Sequence, residues 1–300
     1  MSLRKEPGDA KTMVYLNGKF MPIEEARVPV LDRGFIFGDG VYELVPVYSR
    51  VPFRLDEHLA RLERSLAAAR IRNPHARAEW REIVLALVAR QPFEDQGVYF
   101  QVTRGVARRD HAFPKEAAPT VFMMSNPLST PSAEAVERGC AATTAVDDRW
   151  LNCDIKSISL IGNVLLRQRS ADAGAVETIL FRNGKLSEAS ASNVFVVKAG
   201  TILAPAKSKL ILPGITYDVV VEIAAAGNLP LEFGDLAEAE VRAADEIWVT
   251  SSSKEVLAIV TLDGRPVGTG KPGPVFRQVY RLYQDFKQKV MRAGKERQAA

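Results

Sequence analysis

A two-domain protein of mixed α and β structure is the fold class this sequence predicts, on three observations. The chain has 300 residues, enough for two domains or one large one with a sizeable core. Strand-like and helix-like apolar patterns alternate along it, and neither dominates. A Pro-, Ser- and Thr-rich stretch, NPLSTPSAEA at 126–135, separates two such regions.

Residues 1–12, MSLRKEPGDAKT, are polar and predict a disordered N-terminal extension. An N-terminal α+β domain follows over 13–125. Asn17-Gly18 in VYLNGKF is a hairpin signal. GVYELVPVY alternates as a strand, and LDEHLARLERSLAAARI and RAEWREIVLALVARQ carry apolar residues at helical spacing. GVYFQVTRG and PTVFMMS close the domain as strands. Residues 126–135 read as the linker and 136–300 as the C-terminal domain. There, short apolar runs are separated by turns such as RNGK and LDGR, with helices at LIGNVLLRQRSADAG, GITYDVVVEIAAAG and PGPVFRQVYRLYQDFKQKV. Long parallel units are few and no GxGxxG opens a βαβ unit, which argues against a doubly wound sheet.

Composition narrows the function. Hydrophobic residues make up 47% and charged residues 25%, the balance of an ordinary soluble globular chain. The net charge of +4 is spread along the sequence, with only the tail FKQKVMRAGKERQAA locally basic, and that tail reads as a solvated, fraying last helix. Nucleic acid is therefore not an expected partner, whereas small anionic ligands are. Two cysteines, Cys140 and Cys153, are too few for a disulfide framework and fit a reducing compartment. With no apolar leader and no run of the ~18 apolar residues a membrane helix needs, a cytoplasmic protein without membrane attachment is expected.

Lys156 lies in RWLNCDIKSISLIGN, between the end of a strand pattern and the start of a helical one. A lysine there usually extends its ammonium to solvent. In a partly apolar setting it can instead supply an amine that is nucleophilic toward carbonyls. Downstream, LSEASASNVFVV places Glu188 ahead of small and hydroxyl-bearing residues and a β-patterned run. Alone, this is a polar turn entering a strand. Together the two have a chemical logic: a pyridine ring held on the lysine needs a carboxylate at its nitrogen, and small residues let a flat ring approach, with Ser190, Ser192 and Asn193 offering hydrogen bonds.

CDIKSISLIGN followed by EASASNVF resembles the pyridoxal-phosphate aminotransferases of fold type IV, and the resemblance extends to LDRGFIFGDGVYE, HLARLERS, YFQVTRG, LPGIT and VTSSS, in order from about Met13 to about Gly268. Within that family VARRDHAFP is most similar to the D-amino acid aminotransferases. The resemblance implies a two-domain fold with pyridoxal 5'-phosphate between the domains. It implies that Lys156 holds the cofactor as a Schiff base and moves the α-proton, and that Glu188 faces the ring nitrogen. Arg61 corresponds to the phosphate-binding arginine, although helical spacing alone would pair it with Glu57. Ile215 and Thr216 would bind phosphate through backbone N–H groups at a helix start, and Ser252 through its turn. Leu212 would pack on the ring.

For the substrate, Arg109 and His111 would trap the α-carboxylate from a loop reaching the other subunit of a homodimer, with Tyr42 completing the trap from the same chain. Asp110 and Ala191 depart from the pattern, and Arg108 stands beside Arg109. The implied reaction is ping-pong transamination, D-alanine with 2-oxoglutarate. Branched-chain L-amino acid aminotransferases and aminodeoxychorismate lyases share the cofactor machinery but differ at the Arg-x-His loop, and remain the alternatives.

Overall fold

Strand β1 (Met13–Leu16) turns at Asn17-Gly18 into β2 (Lys19–Pro22), the hairpin that dipeptide signals. The computed structural model describes residues 12–293 and divides them into two units, residues 12–127 with 157–159 and residues 128–156 with 160–293. The extension expected at the N-terminus lies, apart from Thr12, outside the described residues.

In the first unit the short helix α1 (Arg33–Phe37) starts at Asp32, whose carboxylate accepts from Gly34 N at 2.8 Å. β3 (Gly40–Tyr48) and the two-residue β4 (Val51–Pro52) precede α2 (Leu55–Ala68), whose leucines 55, 59, 62 and 66 form one buried stripe. That stripe also carries His58 and Arg61 inward. α3 (Arg77–Ala89) buries Trp80, which stacks on Phe100 with ring centroids 5.7 Å apart. β5 (Gln96–Thr103) and β6 (Thr120–Pro127) complete an antiparallel sheet of order β2-β1-β6-β5-β3-β4. Residues 157–159 join this unit because Ser157 bridges Val41 and Ile158 N donates to Gly40 O.

The expected linker is corrected at both ends. β6 runs on through Asn126 and Pro127, which pair with Gly97 and Gln96. Helix α4 (Ala133–Arg138) already begins at Ala133, with Ser132 Oγ accepting from Ala135 N. Ser and Pro serve helix starts and strand ends as readily as loops, so composition alone overstated the connection.

The second unit continues with β7 (Cys140–Val146), α5 (Ile161–Asp172), β8 (Glu177–Arg182), β9 (Lys185–Ala189), β10 (Asn193–Lys198) and β11 (Thr201–Ala204). Then come α6 (Ile215–Ala226), β12 (Leu231–Phe233), α7 (Glu238–Arg242), β13 (Glu246–Ser251), β14 (Glu255–Leu262), β15 (Arg265–Pro266) and α8 (Pro274–Phe286). The sheet order is β12-β11-β10-β13-β14-β7-β8-β9, with β15 on β14. Only β11–β12, β14–β7 and β7–β8 are parallel, so the sheet is mixed and not doubly wound. Its core includes Ile179, Val194, Val196, Ile247, Val249 and Ile259.

α8 is anchored at both ends. Glu246 accepts from Val275 N and Phe276 N at its start. Beyond Phe286 the chain continues as a π-helical turn over Lys287–Met291, where Lys287 is buried against Glu255 Oε1 at 2.6 Å and Met291 is buried too. The tail was expected to be solvated throughout. Lys287 is instead enclosed because a buried carboxylate awaits it.

Candidate active site

In the second unit, strand alternation along β9 sends Ser187 and Glu188 to opposite faces. Ser187 Oγ donates to Asp147 Oδ2 at 2.7 Å, while Glu188, 5% exposed, accepts from Arg149 Nη1 and from Leu212 N at 2.9 Å each. Arg149 is shared: its Nε and Nη2 donate to Asp147, which Arg182 also meets at 2.9 Å. Burial pushes the Glu188 carboxyl up to about 7, against the lowering pull of Arg149 and the Leu212 N–H, and Asp147 adds a like charge that raises it further. Asp147 feels the same burial, yet its bonds from Arg149 and Ser187 and the charge of Arg182 bring it below the ordinary carboxylate range. Burial also raises the neighbouring Cys153 thiol to about 11, so it is a proton-bearing group.

Lys156 sits half-buried in the irregular stretch between β7 and α5. Its approach is tethered, since Cys153 N donates to Lys209 O at 2.7 Å and Cys153 Sγ to Trp150 O. The segment holding Lys209 leads directly to Leu212, so the lysine loop, Glu188 and the start of α6 are tied to one stretch of chain. α6 opens at Gly214 with no side-chain cap, which leaves the Ile215 and Thr216 N–H groups pointing out of the helix start. Gly214 is required there: a Cβ would lie 2.1 Å from Asn193 Oδ1, while Asn193 Nδ2 donates to Leu212 O. Leu212 is half-buried, and Ser252 is half-buried in the β13–β14 turn.

The serines after Glu188 do something other than expected. Ser190 Oγ and Ser192 Oγ both donate to Glu177, which is fully buried, and Lys254 Nζ meets the same carboxylate at 2.9 Å. Lys254 follows Ser252, so this cluster ties the turn after β9 to the turn that carries Ser252. Asp147, Arg149, Glu177 and Lys254 were all missed in the sequence. The charged run VDDRW, following an apolar strand, was the only local signal for the first two.

In the first unit Arg61 is buried and grips Glu43 through Nε and Nη2, both 2.8 Å, not the exposed Glu57. His58 Nδ1 meets the same carboxylate at 2.8 Å. Tyr42, on β3, lies against Tyr99 with ring centroids 5.5 Å apart. Arg109 and His111 are exposed on the loop between β5 and β6 and converge on Phe37: the Arg109 Cζ and the His111 ring each lie 5.4 Å from its ring centre. Asp110 Oδ1 accepts from Ala112 N, a local turn bond. Gly105 starts this loop at φ +97°, where a Cβ would lie 1.9 Å from Ala118 O.

Among the described residues no group of His, Cys, Asp and Glu could hold a metal ion, and no helix is long and apolar enough to cross a membrane. What the second unit offers is an amine, a buried carboxylate with capacity for a cation, and an uncapped helix start suited to an anion.

Residues 40–262 match the family model described as amino-transferase class IV. The chain is 39% identical over 272 residues to the D-alanine aminotransferase of Bacillus licheniformis, covering 91% of this chain and 96% of that protein. It is 38% identical over 283 residues to the D-alanine aminotransferase of Listeria monocytogenes serotype 1/2a (strain 10403S), covering 93% and 96%. Among solved structures, a T.th. branched-chain amino acid aminotransferase with pyridoxamine 5'-phosphate superposes with a TM-score of 0.87 at 26% identity, over 95% of this chain and 97% of that one. The fold is therefore that of the type IV aminotransferases, and the chain belongs to the class IV amino-transferase family.

Proposed function

We propose that this chain transfers the amino group of a D-amino acid, D-alanine foremost, to a 2-oxo acid, 2-oxoglutarate foremost, in two half-reactions with pyridoxal 5'-phosphate as cofactor. The observation that carries the reading is Glu188: a buried carboxylate poised near neutrality, reached by one bond to each oxygen, is suited to a ring nitrogen that must stay protonated. The D-alanine aminotransferase relatives, alike along nine-tenths of the chain, support the substrate.

The residues of the second unit suit such a group: Lys156 would offer the amine, the Ile215 and Thr216 N–H groups phosphate contacts, Ser252 a hydroxyl and Leu212 an apolar side for the ring. The resemblance adds Arg61 as a further phosphate contact. Bound, pyridoxal 5'-phosphate supplies an aldehyde carbon for the substrate amine and a ring that accepts the electrons of the Cα–H bond. Lys156 would hold and move the proton of the substrate Cα. Glu188 would present its carboxylate to the ring nitrogen, with Arg149 orienting it. Glu43 and His58 fix the Arg61 guanidinium.

Arg109 and His111 bind the α-carboxylate in the site of a second copy, and Tyr42 assists in its own. A homodimer is supported by the exposure of Arg109 and His111 and by an apolar face on the second unit. On α5 Ile161 is 73% exposed, and Val164 and Leu165, three and four residues on, are exposed on the same face. Two free thiols, Cys140 and Cys153, fit a cytoplasmic setting.

The test is 2-oxo acid formation with 2-oxoglutarate as acceptor: pyruvate from D- or L-alanine, beside 4-methyl-2-oxopentanoate from L-leucine. D-alanine alone should turn over well. Faster turnover of L-leucine would replace this reading with the branched-chain one, which the likeness to the branched-chain aminotransferase structure favours.

A further inference from the structure

We propose that Arg33 is a positioning residue for the substrate-carboxylate loop, acting by holding the backbone on both sides of His111; this rests on the reading of Arg109 and His111 as the carboxylate trap. Arg33 is 3% exposed, on α1, far in sequence from that loop. Its Nη1 donates to the carbonyl oxygens of Asp110 and Ala112, the residues flanking His111, with the second bond at 3.5 Å. Its Nε donates to Asp39 Oδ2 at 2.7 Å, and its Cζ lies 4.8 Å from the centre of the Phe37 ring. Phe37 is the same ring on which Arg109 and His111 converge.

The anchor behind Arg33 is itself fixed. Asp39 also accepts two bonds from Arg104, at 2.7 and 3.0 Å, and Arg104 donates to Ala69 O and Arg70 O at the end of α2. Arg104 further covers Phe113, at the far side of the loop, 3.7 Å from its ring centre. The exposed loop thus rests on a buried base running from α2 through Arg104 and Asp39 to Arg33. Arg109 and His111 are exposed and rest on Phe37, the ring Arg33 also faces, so the backbone grip at Asp110 and Ala112 sets their aim. A guanidinium is needed because it reaches a carboxylate and two carbonyls in different directions at once; an ammonium on a flexible stem cannot span them.

Arg33→Lys keeps a cation beside Asp39 while losing the span, so it is the main variant, and Arg33→Gln is the more severe companion. In Arg33→Lys, amide hydrogen exchange over residues 108–113 should quicken while that of β5 stays as in the parent. The cofactor's visible absorbance should be unchanged. KM for D-alanine should rise about 10-fold with kcat within about twofold, inside the roughly 100-fold that an ångström of misplacement can cost. Single-turnover reaction with ethylamine, which lacks the carboxylate, should keep its rate. Adding Arg33→Lys to a variant carrying both Arg109→Ala and His111→Ala should cause no further loss, since both side chains it aims are then gone.

Unchanged exchange and KM in Arg33→Lys, equal losses on D-alanine and ethylamine, or a loss additive with the paired Arg109→Ala and His111→Ala changes would each overturn the proposal. If Arg109→Ala by itself shows no loss selective for D-alanine, the trap reading fails and the proposal falls with it. A selective loss in Arg109→Ala without one in Arg33→Lys overturns the proposal alone.

Discussion

Two buried glutamates, one in each unit, are both met by an arginine, and they are driven in opposite directions. Glu43 is fully buried and takes two bonds from Arg61 and one from His58. Burial alone would raise its carboxyl, but the Arg61 charge and bonds, with His58, hold it far below the ordinary range. Glu188 is almost as buried, yet receives a single Arg149 bond, because Arg149 turns its other nitrogens to Asp147. Burial then wins and the group rises to about 7. The lesson is that an arginine partner does not by itself make a carboxylate structural. What matters is how much of the guanidinium it receives: Glu43 is saturated, whereas Glu188 has room for another cation.

The largest expected effect separates chemistry from scaffold. Lys156→Ala should lower transamination by a factor of roughly 100 to 10,000, the usual cost of losing a central acid–base group. Urea unfolding of the cofactor-free variant should move by no more than about 1 kcal/mol. Near-normal turnover would remove the lysine from the proposed mechanism, and with it the reason to see Glu188 as a site residue.

Glu43→Gln comes next and acts on stability. Removing one partner of a buried pair leaves Arg61 without its counter-charge, a loss of about 3–5 kcal/mol. Because the folded pKa of Glu43 is depressed, its contribution is present above the ordinary carboxylate range and disappears as pH falls through the lowered value. Urea melts at neutral pH read this directly. A loss below about 1 kcal/mol would mean that Glu43 is not the saturated group described, and the contrast with Glu188 would collapse.

How far the sequence disclosed these sites depends on whether a residue's partners are local. β3 and α2 were legible because their patterns repeat over nine residues and more, and the Asn17-Gly18 turn because two residues determine it. The α6 start was legible through the short contiguous motif LPGIT, and contiguous motifs also singled out Lys156 and Glu188 as candidates. The partner of Arg61 was not: helical spacing offers Glu57, but Glu57 faces solvent while Arg61 lies on the leucine stripe, and its partner comes from β3. Arg149 with Glu188, and Glu177 with Lys254, meet only after the sheet has formed. A charge in a sequence carries no mark of which distant charge the fold will bring to it. Lys287 was misjudged for the same reason, its partner Glu255 lying on β14.

The smallest effect is the sharpest test of the contrast. Glu188→Gln removes a carboxyl whose folded pKa, about 7, stands above its ordinary 4.5. A raised pKa means that the folded chain holds the proton more tightly than the unfolded one. The stabilisation this gives is therefore fully present below about 4.5 and is lost as pH rises through about 7. Cofactor-free parent protein should lose urea resistance across that window and level off above it, on top of the opposite trend from groups such as Glu43. The Gln variant should lack this component: the difference between the two should favour the variant increasingly as pH rises from about 5 to about 8, by roughly 2–3 kcal/mol, which is what linkage gives for a shift from 4.5 to about 7. With pyridoxal 5'-phosphate bound, the protonated ring nitrogen should hold Glu188 ionised, and the advantage should reverse in favour of the parent. If Glu188→Gln instead weakened the cofactor-free protein at about pH 8 as much as Glu43→Gln does, Glu188 would be a second saturated ion pair, and the opposed behaviour of the two glutamates would have to be given up.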